Sequence, residues 1–321
     1  MKAKLHLVFS ITIFFSSFCT FSQQDYWKSI SAKEEYKSAS LQDVKKHGKV
    51  FGLNNKAFTS KLGTVSSTKT SGNVIHLPNS KGDLIAFRIK ETSVLHPDLA
   101  RKYPGIKSFS GQSLDNQYRV KLSQSHKGFQ GMMVSVKGNS TSFMEPVANA
   151  SDVYVVYDKE SSLTAKQDFV CGTQKMQQLV QKTLSPLVDD QVLRKFRIAV
   201  STTGEYTSFH GGTVADALAA INATLTRVNE VFETDLGVTL ELIPNNDLVI
   251  FTNAATDPYD GNLNAQVQST LTSTIGEANY DVGHLFNRVG QGQDNGNAGF
   301  IGAVCEDNRK GSAFDSAFTP Q

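Results

Sequence analysis

Short runs of alternating hydrophobic and polar residues fill the first half of the chain, a pattern typical of β-strands. The alternation is clearest at residues 84–89 and 118–122, and residues 153–157 form an apolar run of the kind found in a buried strand. A polar stretch rich in Ser, Thr and Gly, residues 59–73, interrupts the pattern. We therefore expect residues 23–166 to form a β-rich domain.

Helical periodicity appears only in the second half of the chain. Residues 167–193 are polar, and we interpret them as a linker. The strongest helix begins after Thr213, which forms a capping-box pattern with Asp216, and it ends at Gly237. Its apolar residues recur at three- and four-residue steps on one face: Val214, Leu218, Ile221, Leu225, Val228 and Phe232.

The remaining pattern completes a second domain over residues 194–321. Strands are predicted at 195–200, 238–243, 248–251, 280–286 and 298–304, and a second amphipathic helix follows Leu263, Val267, Leu271 and Ile275 with Asn262 or Asn264 as its cap. The strands at 238–243 and 248–251 flank a short turn, which predicts a hairpin or a near-hairpin arrangement. The fold class is therefore α+β, with a β-rich domain followed by a mixed α/β domain that contains long helices.

The N-terminus has the features of an export signal. Lys2 and Lys4 precede a mostly apolar stretch, residues 5–18, and small residues near Ser22 suit cleavage before Gln23. The stretch is short for a membrane anchor, which needs about 20 apolar residues. We expect residues 1–22 to be a signal peptide, the protein to be secreted, and no membrane span to remain after the leader is removed.

Composition narrows the function classes. Hydrophobic residues make up 39% of the chain and charged residues 19%, so a packed core is expected. The net charge of +2 and the absence of basic runs with interleaved aromatics argue against nucleic-acid binding. Removing the leader also removes Cys19 and leaves Cys171 and Cys305 in a compartment where disulfides persist.

Motifs for self-contained catalysis are absent from the sequence. None of the seven histidines begins an H-E-x-x-H, and no two are four residues apart. Residues 290–292 lack the third glycine of a dinucleotide loop, and residues 257–262 fit a turn better than a calcium loop. His210 and His284 are single histidines, for which a loop position and a core position are the default interpretations.

Two parts of the chain nevertheless resemble a known family. Residues 280–286, the Gly-rich loop and residues 299–305 resemble the run that leads into the active-site helix of reprolysin-like (metzincin) peptidases of secreted bacterial proteins. Residues 99–111 and 128–132 are similar to the propeptide of the same proteins. The resemblance implies a secreted zinc metalloendopeptidase precursor that acts on protein or peptide substrates, with a propeptide at 23–166 and part of the catalytic domain at 194–321.

The family's diagnostic H-E-x-x-H-x-x-G-x-x-H motif is not among the 321 residues. The resemblance therefore implies a truncated catalytic domain, whose three zinc-binding histidines and general-base glutamate lie beyond Gln321. In the complete protein, zinc would activate the attacking water and polarise the scissile carbonyl. We expect no catalytic or metal-binding residue within this chain, no zinc bound to it, and no activity from it.

The resemblance also implies a substrate-binding edge strand, formed by Gly299, Phe300, Ile301, Gly302, Ala303 and Val304. The alternative is an ordinary strand of the sheet. Cys171, between the two predicted domains, is expected to form a disulfide with Cys305 or with another cysteine, or else to act as an inhibitory thiol on the zinc. The second functional hypothesis is a secreted, non-enzymatic surface or adhesion module that binds a protein partner.

Overall fold

Two β-sheets organise the part of the chain that the computed structural model describes, which is residues 26–30, 48–65, 73–137, 140–147, 150–159, 169–173 and 191–320. The N-terminal sheet has nine described strands, all antiparallel, in the order β1-β2-β9-β8-β7-β6-β5-β4-β3. Its elements are β1 Trp27–Ser29, β2 Lys49–Leu53, α1 Asn55–Gly63, β3 Asn73–Pro78, β4 Leu84–Glu91, α2 Pro97–Lys102, β5 Lys107–Ser113, β6 Tyr118–Ser125, β7 Gly128–Ser135, β8 Thr141–Val147 and β9 Ala150–Asp158.

The C-terminal sheet is mixed, and its described strands follow the order β10-β14-β15-β13-β11-β12. Strands β12, β11, β13 and β15 run parallel, and β14 is antiparallel to β15. The elements are β10 Val170–Cys171, β11 Arg194–Thr202, α3 Gly204–His210, α4 Val214–Asp235, β12 Val238–Leu242, α5 Leu263–Thr274, β13 Val282–Arg288, β14 Asn295–Asn297 and β15 Ala313–Ala317, with 3-10 helices at Asn246–Val249 and Glu277–Asn279.

An aromatic cluster forms the centre of the N-terminal sheet's core. Trp27 lies edge-on to Phe58 and Phe129, with ring centroids 5.8 and 6.1 Å apart. Phe58 belongs to α1, which the sequence pattern did not predict. Asn54 caps this helix by accepting from the Ala57 N–H, and Phe58 and Leu62 fall on its buried face.

Helices cover the two faces of the C-terminal sheet because successive strand residues point to opposite sides. Ile198 and Val200 of β11 pack in the cluster that contains α4, whereas Ala199 packs in the cluster that contains α5. The predicted capping box of α4 is confirmed: Asp216 N–H donates to Thr213 Oγ1, and the Thr213 N–H donates to the Asp216 carboxylate. Among the described residues, no helix combines the length and apolar character that a bilayer crossing requires.

Two strand predictions in this region are wrong. Residues 248–251 do not form a hairpin with β12, because Asn246–Val249 is a 3-10 helix and β12 pairs in parallel with β11. The buried Asn246 side chain fixes this turn by bonding to both backbone groups of Val200, at 2.7 and 2.8 Å.

The strand predicted at 298–304, including the proposed substrate-binding strand from Gly299 to Val304, is also not observed; these residues form turns and bends. Gly299 and Gly302 have φ values of +71° and +77°, which an extended strand does not permit. The strand of this region is β14, immediately before them, which lies between β15 and β10.

A segment from the N-terminal half packs into the C-terminal core. Residues 93–106, which we call the arm, leave the N-terminal sheet between β4 and β5. The Leu242 N–H donates to the Val94 carbonyl at 2.7 Å, and the His96 N–H donates to the Leu242 carbonyl at 2.9 Å, so the arm lies along β12. The buried apolar residues of the arm join the cluster around α4: Val94, Leu95, Leu99 and Ile106.

Polar contacts join the outer face of α4 to the N-terminal sheet. They recur along the length of the helix, from its first turn to its last. The pairs are Lys127–Asp216 at 2.8 Å, Ser108–Asn222 at 2.8 Å, Arg227–Glu145 at 2.8 Å, Arg119–Glu230 at 2.6 Å and Lys121–Glu233 at 2.5 Å.

Candidate functional site

An apolar groove of about 790 Å³ runs along the α4 side of the C-terminal sheet. Helix α4 covers β11 and β12 on this side, while the same face of β13 and β15 also lines the groove. Apolar side chains contributed by α4, by the strands and by the 298–304 turns line most of it: Val228, Phe232, Leu240, Val282, Phe286 and Val304. Such a surface favours an apolar occupant, because burying it removes hydrocarbon from water.

One polar pair interrupts this apolar lining. His284 of β13 and Asp315 of β15 lie on adjacent parallel strands, with Nε2 and Oδ1 2.8 Å apart. The two side chains remain 28% and 42% exposed. His284 is thus neither unpartnered nor fully in the core. Burial, together with the nearby Asp315 charge, raises the pKa of Tyr206, which lies beneath the groove.

Strand β14 is antiparallel to β15, and on its other side it pairs with β10, a short strand from the segment that precedes β11. Residues of β10 pair with it in parallel, Val170 with Asn295 and Cys171 with Gly296. The Gly172 N–H donates to the Gly296 carbonyl at 2.8 Å, and Thr173 Oγ1 accepts from the Ala298 N–H at 2.8 Å. The backbone groups of β14 that would pair with another extended chain are therefore used by β10.

No three His, Cys, Asp or Glu side chains are grouped closely enough to hold a metal ion within the described ranges. His210 packs against Tyr206, with ring centroids 4.5 Å apart, and its Nε2 is buried without a hydrogen-bond partner. Burial lowers the pKa of His210 to about 4, with a further lowering by Lys127 that Asp216 opposes. Neither this histidine nor His284 is part of a three-residue ligand set.

Comparison with known proteins shows a family likeness in the C-terminal part of the chain. Residues 193–320 match the model of metallo-peptidase family M12B, reprolysin-like. We call residues 193–320 the reprolysin-like segment, after the family that they resemble. No curated protein matches the chain. One solved structure, "Structure of a chaperone-substrate complex", is similar at 17% identity over 41% of this chain and 92% of that chain, with a TM-score of 0.24.

The reprolysin-like segment includes the groove and every strand of the C-terminal sheet except β10. Two contacts from outside this segment lie at opposite edges of its sheet. The arm lies along β12, and β10 lies along β14. The reprolysin-like sheet is thus bordered on both edges by residues that precede it in the chain.

The sequence-predicted site residues lie in the turns that follow β14, except Cys171, which lies on β10. Phe300, Ile301 and Val304 are about half exposed, and Ala303 is buried. Cys171 and Cys305 are both exposed free thiols, so the bridge between them is not formed in the structure. Hydrogen bonds with Thr173 lower the pKa of Cys171.

Sequence reasoning missed the arm and β10 as partners of the reprolysin-like sheet. In the sequence, residues 99–111 show only a likeness to a propeptide. The signal that could have placed the arm is its apolar spacing, with Leu95, Leu99 and Ile106 in a segment that continues neither β4 nor β5. For β10 the sequence offered no comparable signal, because only two residues pair.

Proposed function

We propose that this chain carries the leader, the propeptide and the first part of the catalytic domain of a secreted, zinc-dependent metalloendopeptidase. The match of residues 193–320 to reprolysin-like metallopeptidases carries the proposal. Residues 1–22 are the leader, 23–166 the propeptide, 167–193 the linker and 194–321 the catalytic part. The substrate class is protein or peptide, hydrolysed at internal peptide bonds.

The described residues do not fit a zinc site. They hold no cluster of potential ligands, and the sequence has no H-E-x-x-H. In this proposal the zinc ligands and the general base therefore belong to residues outside these 321. The chain as given is expected to retain no zinc and to hydrolyse no protein.

Strand β14 is the element best suited to bind an extended substrate. It stands beside β15, and once β10 is displaced, its backbone N–H and C=O groups on the side away from β15 are open to strand addition, which is how a sheet edge recognises a peptide. The exposed side chains of Phe300, Ile301 and Val304 follow it and offer apolar contacts. Substrate binding is thus assigned to β14, with residues 299–304 as its flanking turns.

The pairing of β10 with β14 supports the precursor assignment. A peptide could pair with β14 only after β10 leaves, because both use the same backbone groups. Cys171 lies within β10, and Cys171 and Cys305 are available either for bridges with other cysteines or, in the case of Cys171, for an inhibitory contact with zinc.

Sequencing the genomic DNA past codon 321 tests the proposal directly. We expect the frame to continue into H-E-x-x-H. The protein from that longer frame should hydrolyse casein after removal of residues 23–193, should lose activity with a zinc chelator, and should contain one zinc per chain by metal analysis. A stop codon after codon 321, or a continuation without paired histidines, would contradict the proposal and favour the non-enzymatic binding module. Stoichiometric zinc on the 321-residue chain would show that the ligand assignment is wrong.

A further inference from the structure

The arm has the contacts of a bound peptide more than those of a loop of its own sheet. Its backbone extends the C-terminal sheet at β12 through two hydrogen bonds with Leu242, of 2.7 and 2.9 Å. Adding a strand to a sheet edge is a common way for a protein to bind an extended peptide, because the backbone bonds give affinity and the side-chain pockets give selectivity.

The side chains of the arm supply the apolar part of this contact. Leu95 and Leu99 are 1% and 0% exposed, and Ile106 is 5% exposed. All three lie in the cluster that holds Ile198, Leu218 and Leu242, not in the core of the N-terminal sheet. The hydrophobic core of the reprolysin-like segment is therefore completed by residues of the N-terminal half.

Hydrogen bonds fix both the helical turn of the arm and the strand that follows it. Lys102 Nζ lies 3.1 Å from Asp247 Oδ2, beside the 3-10 helix. Ser108, two residues past the arm, has its hydroxyl 2.8 Å from Asn222 Oδ1 and 2.9 Å from Thr226 Oγ1, and all three residues are buried. These bonds set the register of the arm on α4 and β12.

We propose that β12, α4 and the Asn246–Val249 turn form a binding groove for residues 93–106, and that this arm keeps the N-terminal sheet bound as a separate molecule once the chain between them is cut. The proposal concerns binding alone and needs neither zinc nor peptidase activity. It follows that one cut in the connecting segment does not free the reprolysin-like part, and that release needs loss of the arm itself.

The ion pairs along α4, and not the arm, could hold the two pieces together after cleavage. Raising the salt concentration distinguishes these two explanations. Lys127 and Arg119 are 48% and 33% exposed, so their pairs weaken at high ionic strength. Apolar burial of Leu95, Leu99 and Ile106 is not weakened by sodium chloride. A complex held by the arm should survive a salt concentration that separates one held by surface charges.

The test uses the full chain with a site for a sequence-specific protease inserted between residues 160 and 168. After folding and cleavage, size-exclusion chromatography is run in 0.1 M and in about 1 M NaCl. We expect the two pieces to elute together in both. Separation in either buffer would overturn the proposal. Because the interface is unaltered in this measurement, the result does not depend on whether a substituted chain folds.

Substitution then assigns the binding to the arm. Leu99→Ala should weaken the cut complex by about thirtyfold or more, from the usual cost of this change in a core. Leu114→Ala, the same change at a 49% exposed position in the turn between β5 and β6, is the matched control and should change affinity by less than about threefold.

Circular dichroism of the uncut chain checks that Leu99→Ala still folds. If it does not, Ile106→Val replaces it, with about a two- to tenfold weakening expected. Equal affinity of the arm variant and the Leu114→Ala control would overturn the assignment to the arm.

Discussion

Lys121 on β6 and Glu233 on α4 form an ion pair between the two sheets, with Nζ and Oε2 2.5 Å apart and the lysine side chain only 7% exposed. Lys121→Ala leaves Glu233 without its cation and should lower the free energy of unfolding by about 1–3 kcal/mol in urea denaturation. Exchanging the charges, Lys121→Glu with Glu233→Lys, should recover part of the loss. Lys195→Ala is the control: its partner Glu241 lies within the C-terminal sheet, Lys195 is 56% exposed, and the cost should stay below about 1 kcal/mol.

Asp216 should make the chain sensitive to acid. Burial raises the pKa of Asp216, but hydrogen bonds from Lys127, Thr213 and His126 outweigh it and hold that pKa well below its usual range. A depressed pKa in the folded state gives stability that is present above about pH 4 and is lost as the pH falls further. Asp216→Asn should therefore be less stable than the parent at pH 7 and lose less stability between pH 5 and 2 in urea unfolding. Parallel curves would contradict this.

His210 predicts a second pH dependence in a different window. Its pKa of about 4 lies below the ordinary value of about 6.5. Between these two values the imidazole is protonated in the unfolded chain and neutral in the folded chain. The free energy of unfolding should fall as the pH drops from about 6.5 to 4. Below about pH 4 the contribution of His210 should stay constant, because its imidazole is then protonated in both states. His210→Gln, which carries no titrating ring, should flatten that part of the curve. An unchanged slope between pH 6.5 and 4 would show that the buried imidazole does not govern it.

The apolar groove should bind a hydrophobic dye. Anilinonaphthalene sulfonate is expected to fluoresce with the folded chain, because the groove exposes apolar side chains on a sheet face. Phe232→Glu places a charge on the lining and should reduce the fluorescence at least severalfold. Leu248→Glu, at a 58% exposed leucine that does not line the groove, is the matched control and should leave the signal unchanged.

The attachment of β10 should depend on the N–H of Gly172. Gly172→Pro removes that donor to the Gly296 carbonyl and should free the neighbouring Ala298 N–H, which now donates to Thr173. Hydrogen exchange should become faster in residues 295–298 and stay unchanged at β12, which serves as the internal control. Unchanged exchange at Ala298 would mean that β10 is held by other contacts.

The sequence predicts those structural features that depend on contacts between residues close together in the chain. The Thr213–Asp216 capping box, the apolar face of α4 and the Asn262 cap of α5 all lie within one or two helical turns, and all are confirmed. The strands at 84–89 and 118–122 are confirmed as parts of β4 and β6 for the same reason. Alternation and capping are set by neighbours in the chain, so no tertiary contact was needed to find them.

Where the prediction failed, the deciding contact came from a residue far along the chain. The Asn246 turn is held by hydrogen bonds to Val200. The arm is held by hydrogen bonds to Leu242, which lies 148 residues after Val94 in the sequence. The turns at Gly299 and Gly302 need backbone angles that apolar neighbours do not reveal. By itself the sequence determined helices α4 and α5, strands β4, β6, β9, β11, β12 and β13, and the likeness to reprolysin-like peptidases. Only the tertiary structure decided that the arm and β10 border the C-terminal sheet, because both edges offer hydrogen bonds to any extended segment that the fold brings near.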